Sequence, residues 1–251
     1  MDATRFFNEC RFDTTLAIIG EVERITANGE VLNRLVPLKN AALAYSAWDK
    51  FNHAEAFEFL KAVRDRRFDG NKRFLGRLLH SDEKEPYVIA DLVNNARRRG
   101  DVEKKYDDGI GRLYRVIELL AQYRLKKRHG IDTSDVNPED IPPKLKEEWK
   151  IPEAGEMLRI GLEKAWKLLA AKCDVLGEEL LKDEELKDLL SKRNFSILAH
   201  GLAPTNEKTY TRLMSKVLGY GSAVVKELET YLQDSEFVRL SERNIGSMDM
   251  S

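Results

Sequence analysis

Two residues, Arg193 and His200, have side chains that could act together on a phosphate ester. They lie in the segment 191–201, Ser-Lys-Arg-Asn-Phe-Ser-Ile-Leu-Ala-His-Gly. If this segment is helical, their separation places them about 20° apart in projection and roughly 10 Å apart along the axis. The other residues that project near this direction are apolar: Leu186, Leu189, Leu190 and Ile197. Because burying polar groups without partners is costly, a polar pair on an apolar stripe indicates a site or an interface.

The chemistry that suits this pair is metal-independent cleavage of RNA. A histidine can move a proton near neutral pH, and the fork of an arginine binds phosphate oxygens. The substrate's 2′-hydroxyl would be the nucleophile, with His200 moving a proton and Arg193 holding the charge on the scissile phosphoryl group. Asn194 and Ser196 are nearby polar groups that could support the site. Since no cluster of His, Cys, Asp or Glu has metal-ligand spacing, we expect neither a metal nor a cofactor.

The length, net charge and cysteine content of the chain restrict the class of protein. Its 251 residues suffice for one large or two small domains, and the net charge of −1 provides no global basic field for nucleic acid. Cys10 and Cys173 lack metal-ligand spacing and are interpreted as core thiols in a reducing compartment. With no signal peptide and no apolar run of transmembrane length, we expect a soluble, cytoplasmic protein with no membrane partner.

Helical periodicity dominates the chain, and strand alternation is hard to find, which predicts an all-α bundle. In the N-terminal part, the pattern predicts a helix stop at Asn28-Gly29, a start or kink near Pro37, a helix N-cap at Asn52 and a loop over 64–73. Pro86 is expected in the first turn of the helix that follows.

The strongest single helix is predicted over 104–129, ended by His129-Gly130. The proline-rich residues 131–152 are expected to form a long connection, and a helix is predicted over 154–172. Asp183 is expected to cap the segment that leads to Arg193. A last helix is predicted over 206–232.

Each candidate site also has a structural interpretation. A single Arg–His pair at this spacing often arises by chance, and a histidine on an apolar face is usually a satisfied core residue. Arg112 and Arg115 lie opposite the apolar face of helix 104–129, where they form either a solvated face with i,i+4 pairs or part of an RNA-binding cleft. The basic clusters Arg97–Arg99 and Arg124–Arg128 are either solvated helix ends or phosphate-binding sites.

The sequence around the pair resembles a known family. Arg193-Asn-Phe-Ser-Ile-Leu-Ala-His-Gly201 is similar to the Arg-x(4–6)-His motif of HEPN ribonucleases, in the form found in CRISPR-associated CARF–HEPN proteins of type III systems. Further similar segments are 91–99, 106–122 and 44–51, and they occur in the family's order. The resemblance thus spans most of the chain, from the first helix to the last.

This resemblance implies an all-α, HEPN-type helical bundle with additional N-terminal helices. The expected domains are an N-terminal helical region over 1–83, a HEPN domain over 84–240 and a flexible tail over 241–251. It further implies a homodimer in which two Arg193–His200 motifs meet at a composite site that cleaves single-stranded RNA to a 2′,3′-cyclic phosphate and a 5′-hydroxyl. The family is switched on by cyclic oligoadenylate bound to a CARF domain.

The chain departs from the family pattern in showing none of the strands or Gly-rich turns of a CARF domain. It is therefore either the C-terminal part of a longer protein or a form without CARF, regulated by a missing domain, by a cyclic oligoadenylate-sensing partner or not at all. Two other functions stay open. One is a non-catalytic helical dimerisation or nucleic-acid-binding module, and the other is the HEPN toxin of a toxin–antitoxin pair.

Overall fold

A computed structural model of the protein describes residues 2–152, 156–194 and 204–241, apart from the side chains of Arg193 and Asn194. The protein is 75% helical, and the described residues contain no β-strand, only an isolated antiparallel bridge between Val136 and Leu158. The predicted all-α class is confirmed. No helix in the described part is long and apolar enough to cross a membrane. The chain divides into two compact units, unit 1 with residues 1–103 and 229–251 and unit 2 with residues 104–228.

Unit 1 is built from helices at the two ends of the chain. Its helices are α1 Asp2–Asn8, α2 Phe12–Ile25, α3 Gly29–Asp49, α4 His53–Lys61, α5 Asp69–His80 and α6 Glu85–Arg97, with α13 Leu228–Ser235 from its second residue onward. A π-helical turn, Arg98–Val102, follows α6. The core is aromatic, with Tyr45 stacked on Phe237 at 3.9 Å between ring centres and Trp48 stacked on Phe74 at 5.6 Å.

One N-terminal boundary in this region differs from the prediction, and two agree with it. Asn28 does not end a helix but begins α3, because its side chain accepts hydrogen bonds from the amides of Glu30 and Val31. Pro37 lies inside α3, so the helix does not start there, and a kink at Pro37 stays a prediction. The expected N-cap at Asn52 is confirmed, with the Glu55 amide donating to its side chain, and Pro86 occupies the first turn of α6.

The loop predicted over 64–73 is wrong in its second half. Asp65 caps a short 3₁₀ turn, Arg66–Phe68, and α5 begins at once at Asp69. The buried side chains of Phe74 and Leu75 define the inward face of this helix, so tertiary packing extends it over residues that read locally as a turn.

Unit 2 is organised around one long helix. Its helices are α7 Tyr106–His129, α8 Pro143–Glu148, α9 Leu162–Ala171, α10 Val175–Lys182, α11 Glu184–Asn194 and α12 Glu207–Val224. Helix α7 packs against α9, α11 and α12 and ends, as predicted, at Gly130, whose φ of +68° suits a residue without a side chain. Helix α10 packs so closely on α9 that a Cβ on Gly177 would lie 2.3 Å from the Ala170 backbone nitrogen.

Three expectations for unit 2 need correction. The connection 131–152 contains α8, because Pro143 stands in the first turn, where its missing N–H costs nothing. The helix predicted from 154 begins only at Leu162, since Leu158 is extended and bridged to Val136. The helix predicted over 206–232 is two helices, because the chain turns back after α12 and brings Leu228 against Gly221.

The two cysteines do not both lie in the core. Cys10 is half-buried, whereas Cys173 is exposed, so the core-thiol interpretation is wrong for Cys173. Cys173 lies in the tight turn between α9 and α10, with a φ of +58°.

Candidate active site

Helix α11 carries the first residue of the predicted catalytic pair. Its residues Leu186, Leu189 and Leu190 are at most 6% exposed, which confirms the apolar stripe over the described part of the segment. The backbone of Arg193 forms part of the last turn of α11. The side chains of Arg193 and Asn194 and all of Ser196, Ile197 and His200 lie outside the described residues.

The start of α11 is fixed to α12 by Asp183. One oxygen of its carboxylate accepts a hydrogen bond from the Leu186 amide at 2.9 Å, which caps the helix as predicted. The Lys216 ammonium donates to both oxygens at 3.0 and 2.8 Å, and the Tyr220 hydroxyl donates at 2.8 Å. Burial raises the pKa of Asp183, but these hydrogen bonds outweigh it and hold the pKa below its ordinary value of 3.8.

A second ion pair strengthens the same contact on the solvent side. The guanidinium of Arg212 in α12 lies 2.6 Å from a carboxylate oxygen of Glu185, and Lys216 lies 3.1 Å from the other. Glu185 is partly exposed, so its contribution is screened and small. Together the two carboxylates set the position of α11 along α12, and thereby the position of the Arg193 backbone.

We expect Asp183→Asn to lower the free energy of unfolding by about 1.5–3 kcal/mol, because Lys216 then has a neutral amide in place of its charged carboxylate partner. The folded-state pKa of Asp183 is depressed, so the carboxylate stabilises the protein above about pH 4 and this stabilisation is lost as the pH falls through the folded-state pKa. Urea denaturation at pH 7 and at pH 3 measures both effects. The difference between wild type and variant should be smaller at pH 3.

The matched control is Asp188→Asn on the same helix. Asp188 is exposed, and its ion pair among the described residues is with Lys192 one turn away, so its loss should change stability by less than about 0.5 kcal/mol. Equal destabilisation by the two variants would show that the contacts of partly buried Asp183 do not anchor α11.

The chain beyond His200 is tied to the start of α7. The backbone amide of Thr205 donates to the Asp107 carboxylate at 3.3 Å, and Asn206 caps α12 by accepting from the Thr209 amide at 3.0 Å. The rings of Tyr106 and Tyr210 lie 5.9 Å apart. Both described flanks of the segment 195–203 are therefore held on α7 and α12.

A groove lies between α7, α9 and α11 and reaches Ser191, two residues before Arg193. Its volume is about 430 Å³, and its lining residues are Tyr114, Leu162, Glu163, Trp166, Lys167, Leu181, Lys187, Leu190 and Ser191. The Trp166 indole N–H is buried and has no hydrogen-bond partner among the described residues. An apolar, aromatic groove with lysines at its edge has the composition of a site for an unstacked base.

Arg112 and Arg115 are both engaged within α7. Arg112 donates to the Asp108 carbonyl oxygen at 2.9 Å, and Arg115 lies 2.5 Å from a carboxylate oxygen of Glu118. These pairs along the helix match the structural interpretation of this face. RNA binding by Arg112 or Arg115 stays a prediction.

Sequence reasoning missed a second polar stripe, on α6 and the first residue of the π-helical turn that follows it in unit 1. Asp91, Asn94, Asn95 and Arg98 recur at helical spacing, and each is at most 5% exposed. The interpretation of Arg97–Arg99 as a solvated helix end is therefore wrong for Arg98. The signal was present in the spacing of these four polar residues among apolar neighbours, which places them on one inward face.

Two family models match this chain, one over its N-terminal residues and one over most of the rest. The model of the Csm6 HEPN domain matches residues 79–223, more than half of the chain, and the model of the Csm6 6H domain matches residues 1–88. The chain belongs to the Csm6 HEPN family, a CRISPR-associated family whose members are generally ribonucleases. The comparison with curated proteins yields no match.

Proposed function

We propose that this protein is a metal-independent endoribonuclease that cleaves single-stranded RNA in CRISPR type III antiviral defence. The observation that carries the proposal is the match of the Csm6 HEPN domain to residues 79–223, which contain the Arg193–His200 segment. The fixed position of α11 supports it, because catalysis requires a phosphate-binding group to be held in place before the substrate arrives.

The proposed reaction is an internal transesterification of RNA. The 2′-hydroxyl oxygen attacks the adjacent phosphorus while its proton is removed, and the bond from phosphorus to the 5′-oxygen breaks. The departing 5′-oxygen takes up a proton, so the products are a 2′,3′-cyclic phosphate and a 5′-hydroxyl. His200 moves the proton, and Arg193 balances the charge on the phosphoryl oxygens. Asn194 and Ser196 are proposed to support these two side chains.

The proposed site is composite, with one Arg193–His200 motif from each subunit of a homodimer. This arrangement accounts for a polar pair that continues an apolar stripe, because the stripe then faces its symmetry mate. The groove that reaches Ser191 supports the proposed RNA path, with Arg112 and Arg115 as further candidate contacts. Regulation by a CARF domain or a cyclic oligoadenylate-sensing partner is part of the proposal.

We expect cleavage to depend on the 2′-hydroxyl and not on a divalent metal. An RNA oligonucleotide with one 2′-deoxy nucleotide at the mapped cleavage position should be resistant at that bond alone, because the nucleophile is missing. The unmodified RNA should yield cyclic-phosphate and 5′-hydroxyl ends by mass spectrometry, with rates unchanged in EDTA.

Two results would contradict this mechanism. Continued cleavage at the 2′-deoxy position, with 5′-phosphate products, would indicate attack by water. Tight RNA binding without any products would instead favour the non-catalytic binding module.

A further inference from the structure

Residues 61–80 of unit 1 concentrate positive charge on a chain that has almost no net charge overall. The segment contains seven lysines and arginines but only two acidic residues, whereas the whole chain has a net charge of −1. It runs from the end of α4 through the 3₁₀ turn Arg66–Phe68 and along the whole of α5. Because the chain has no global basic field, a polyanion must be bound at a local excess of this kind.

Four of the seven cations in this segment are paired with carboxylates. The pairs are Lys61 with Glu58, Arg67 with Asp65, Lys72 with Asp69 and Arg73 with Asp234. Both acidic residues of the segment are therefore engaged. The other three cations, Arg64, Arg66 and Arg77, are exposed and form no ion pair within the described part of the chain. These three arginines give the surface a positive excess that reaches solvent.

Arg66 and Arg77 lie on one face of a continuous helical segment. The 3₁₀ turn passes directly into α5, and Phe68 and Leu75, seven residues apart, are both fully buried. Seven residues make about two helical turns, so the inward face keeps its direction across the junction. Arg66, Arg73 and Arg77 follow each other at spacings of seven and four residues and are all exposed, which places them together on the outward face.

The length of this outward face suits a single strand of nucleic acid. Arg66 and Arg77 are separated by roughly 17 Å along the helical axis, a distance that a few nucleotides of an extended strand span. Arg64 precedes the 3₁₀ turn and extends the row of unpaired arginines at its N-terminal end. An arginine fork binds phosphate oxygens through paired hydrogen bonds, so each exposed guanidinium can receive one phosphate of the strand.

We propose that the exposed arginine face of unit 1, formed by Arg64, Arg66 and Arg77, binds the phosphate backbone of single-stranded RNA. The inference rests on the proposed function, because it takes the substrate of that activity as the occupant. Charge complementarity favours a polyanion here, since the carboxylates of the segment are engaged with other cations. Contacts to phosphate carry no sequence information, so this face anchors RNA of any sequence and leaves the chemistry to the Arg193–His200 motif.

The test measures binding of the whole chain to a fluorescent single-stranded RNA that is 2′-O-methylated throughout. This RNA keeps its phosphates but has no 2′-hydroxyl, so the proposed reaction cannot consume it. Anisotropy titrations at several salt concentrations give the dissociation constant and its salt slope. We expect Arg66→Gln and Arg77→Gln each to weaken binding at least about threefold at low salt and to reduce the slope by about 0.7.

The matched control is Arg34→Gln in α3 of the same unit. Arg34 is exposed and pairs with Glu30, so this change alters the net charge equally but removes a cation that is already neutralised. Its dissociation constant and salt slope should remain those of the wild type. Equal losses in all three variants would show a general effect of net charge and overturn the proposal, as would unchanged binding in both Arg66→Gln and Arg77→Gln.

Thermal unfolding of the same variants separates lost binding from lost structure. Since Arg66 and Arg77 are exposed and have no ion-pair partner among the described residues, both variants should melt at the temperature of the wild type. Weaker binding that appears only together with a lower melting temperature would overturn the proposal, because the loss would then follow from the fold.

Competition distinguishes RNA from another anionic surface. Unlabelled RNA of unrelated sequence should displace the labelled strand as well as the unlabelled probe does. Displacement by phosphatidylserine vesicles at a lower phosphate concentration than RNA would assign the face to a membrane surface and overturn the proposal. Cleavage of unmodified RNA is measured separately. Weaker binding in the two variants of a protein that cleaves no RNA would support this inference while contradicting the ribonuclease proposal.

Discussion

Replacing His200 with alanine is expected to reduce RNA cleavage by about 10²–10⁴-fold, because the proton of the attacking 2′-hydroxyl loses its acceptor. RNA binding should persist, since binding depends on groups other than the proton carrier. Helical content should also persist. The measurement is the single-turnover rate on a labelled single-stranded RNA, together with circular dichroism of the same preparation.

The matched control for this prediction is His80→Ala. His80 is the exposed last residue of α5 in unit 1, and its removal should leave the cleavage rate unchanged. Undiminished cleavage by the purified His200→Ala protein, with contaminating nuclease excluded, would refute the proposed mechanism. Equal loss in both variants would point to a nonspecific effect of losing a histidine.

Arg193→Ala is expected to reduce cleavage by about 10²–10³-fold, because the charge that develops on the phosphoryl oxygens loses its stabilising donors. Arg193→Lys should recover only part of the rate, since an ammonium keeps the charge but lacks the planar fork that binds two oxygens. The loss should appear mainly in the rate at saturating RNA and less in the affinity for RNA.

Lys192→Ala separates this role from a general effect of positive charge on α11. Lys192 precedes Arg193, is exposed and pairs with Asp188 within the helix. Its removal should change cleavage by less than about threefold, in keeping with the small contribution of exposed ion pairs. Matching losses in Lys192→Ala and Arg193→Ala would contradict a specific role for Arg193.

The sequence correctly predicted those helices whose apolar spacing and end signals lie within the helix itself. Helix α7 has regular apolar spacing and a glycine at its end, and both bounds agree with the prediction to within two residues. The caps at Asn52 and Asp183 were also predictable, because a side chain one turn from an amide forms its hydrogen bond within the same segment. The boundaries that were wrong, at Leu162 and after Val224, depend on pairing with residues elsewhere in the chain.

In the candidate site, too, some features were predictable from local sequence and others were not. The apolar stripe of Leu186, Leu189 and Leu190 was predictable from helical periodicity alone, and the structure confirms it. The two residues that bind the Asp183 carboxylate were not predictable. They are Lys216 and Tyr220, and they come from a helix more than thirty residues later. The roles of Arg193 and His200 stay predictions that rest on the sequence and the family.

The sequence by itself determined the helical class of this protein, the inward face of α11 and the family to which the chain belongs, because these depend on local periodicity and on short motifs. Only the tertiary structure decided that Arg98 is buried beneath Phe237 and beside Asp49. These residues are separated by many helices along the chain, and no local pattern shows which of them will meet. Packing therefore converted one residue of an apparently solvated basic cluster into a buried arginine with unsatisfied donors.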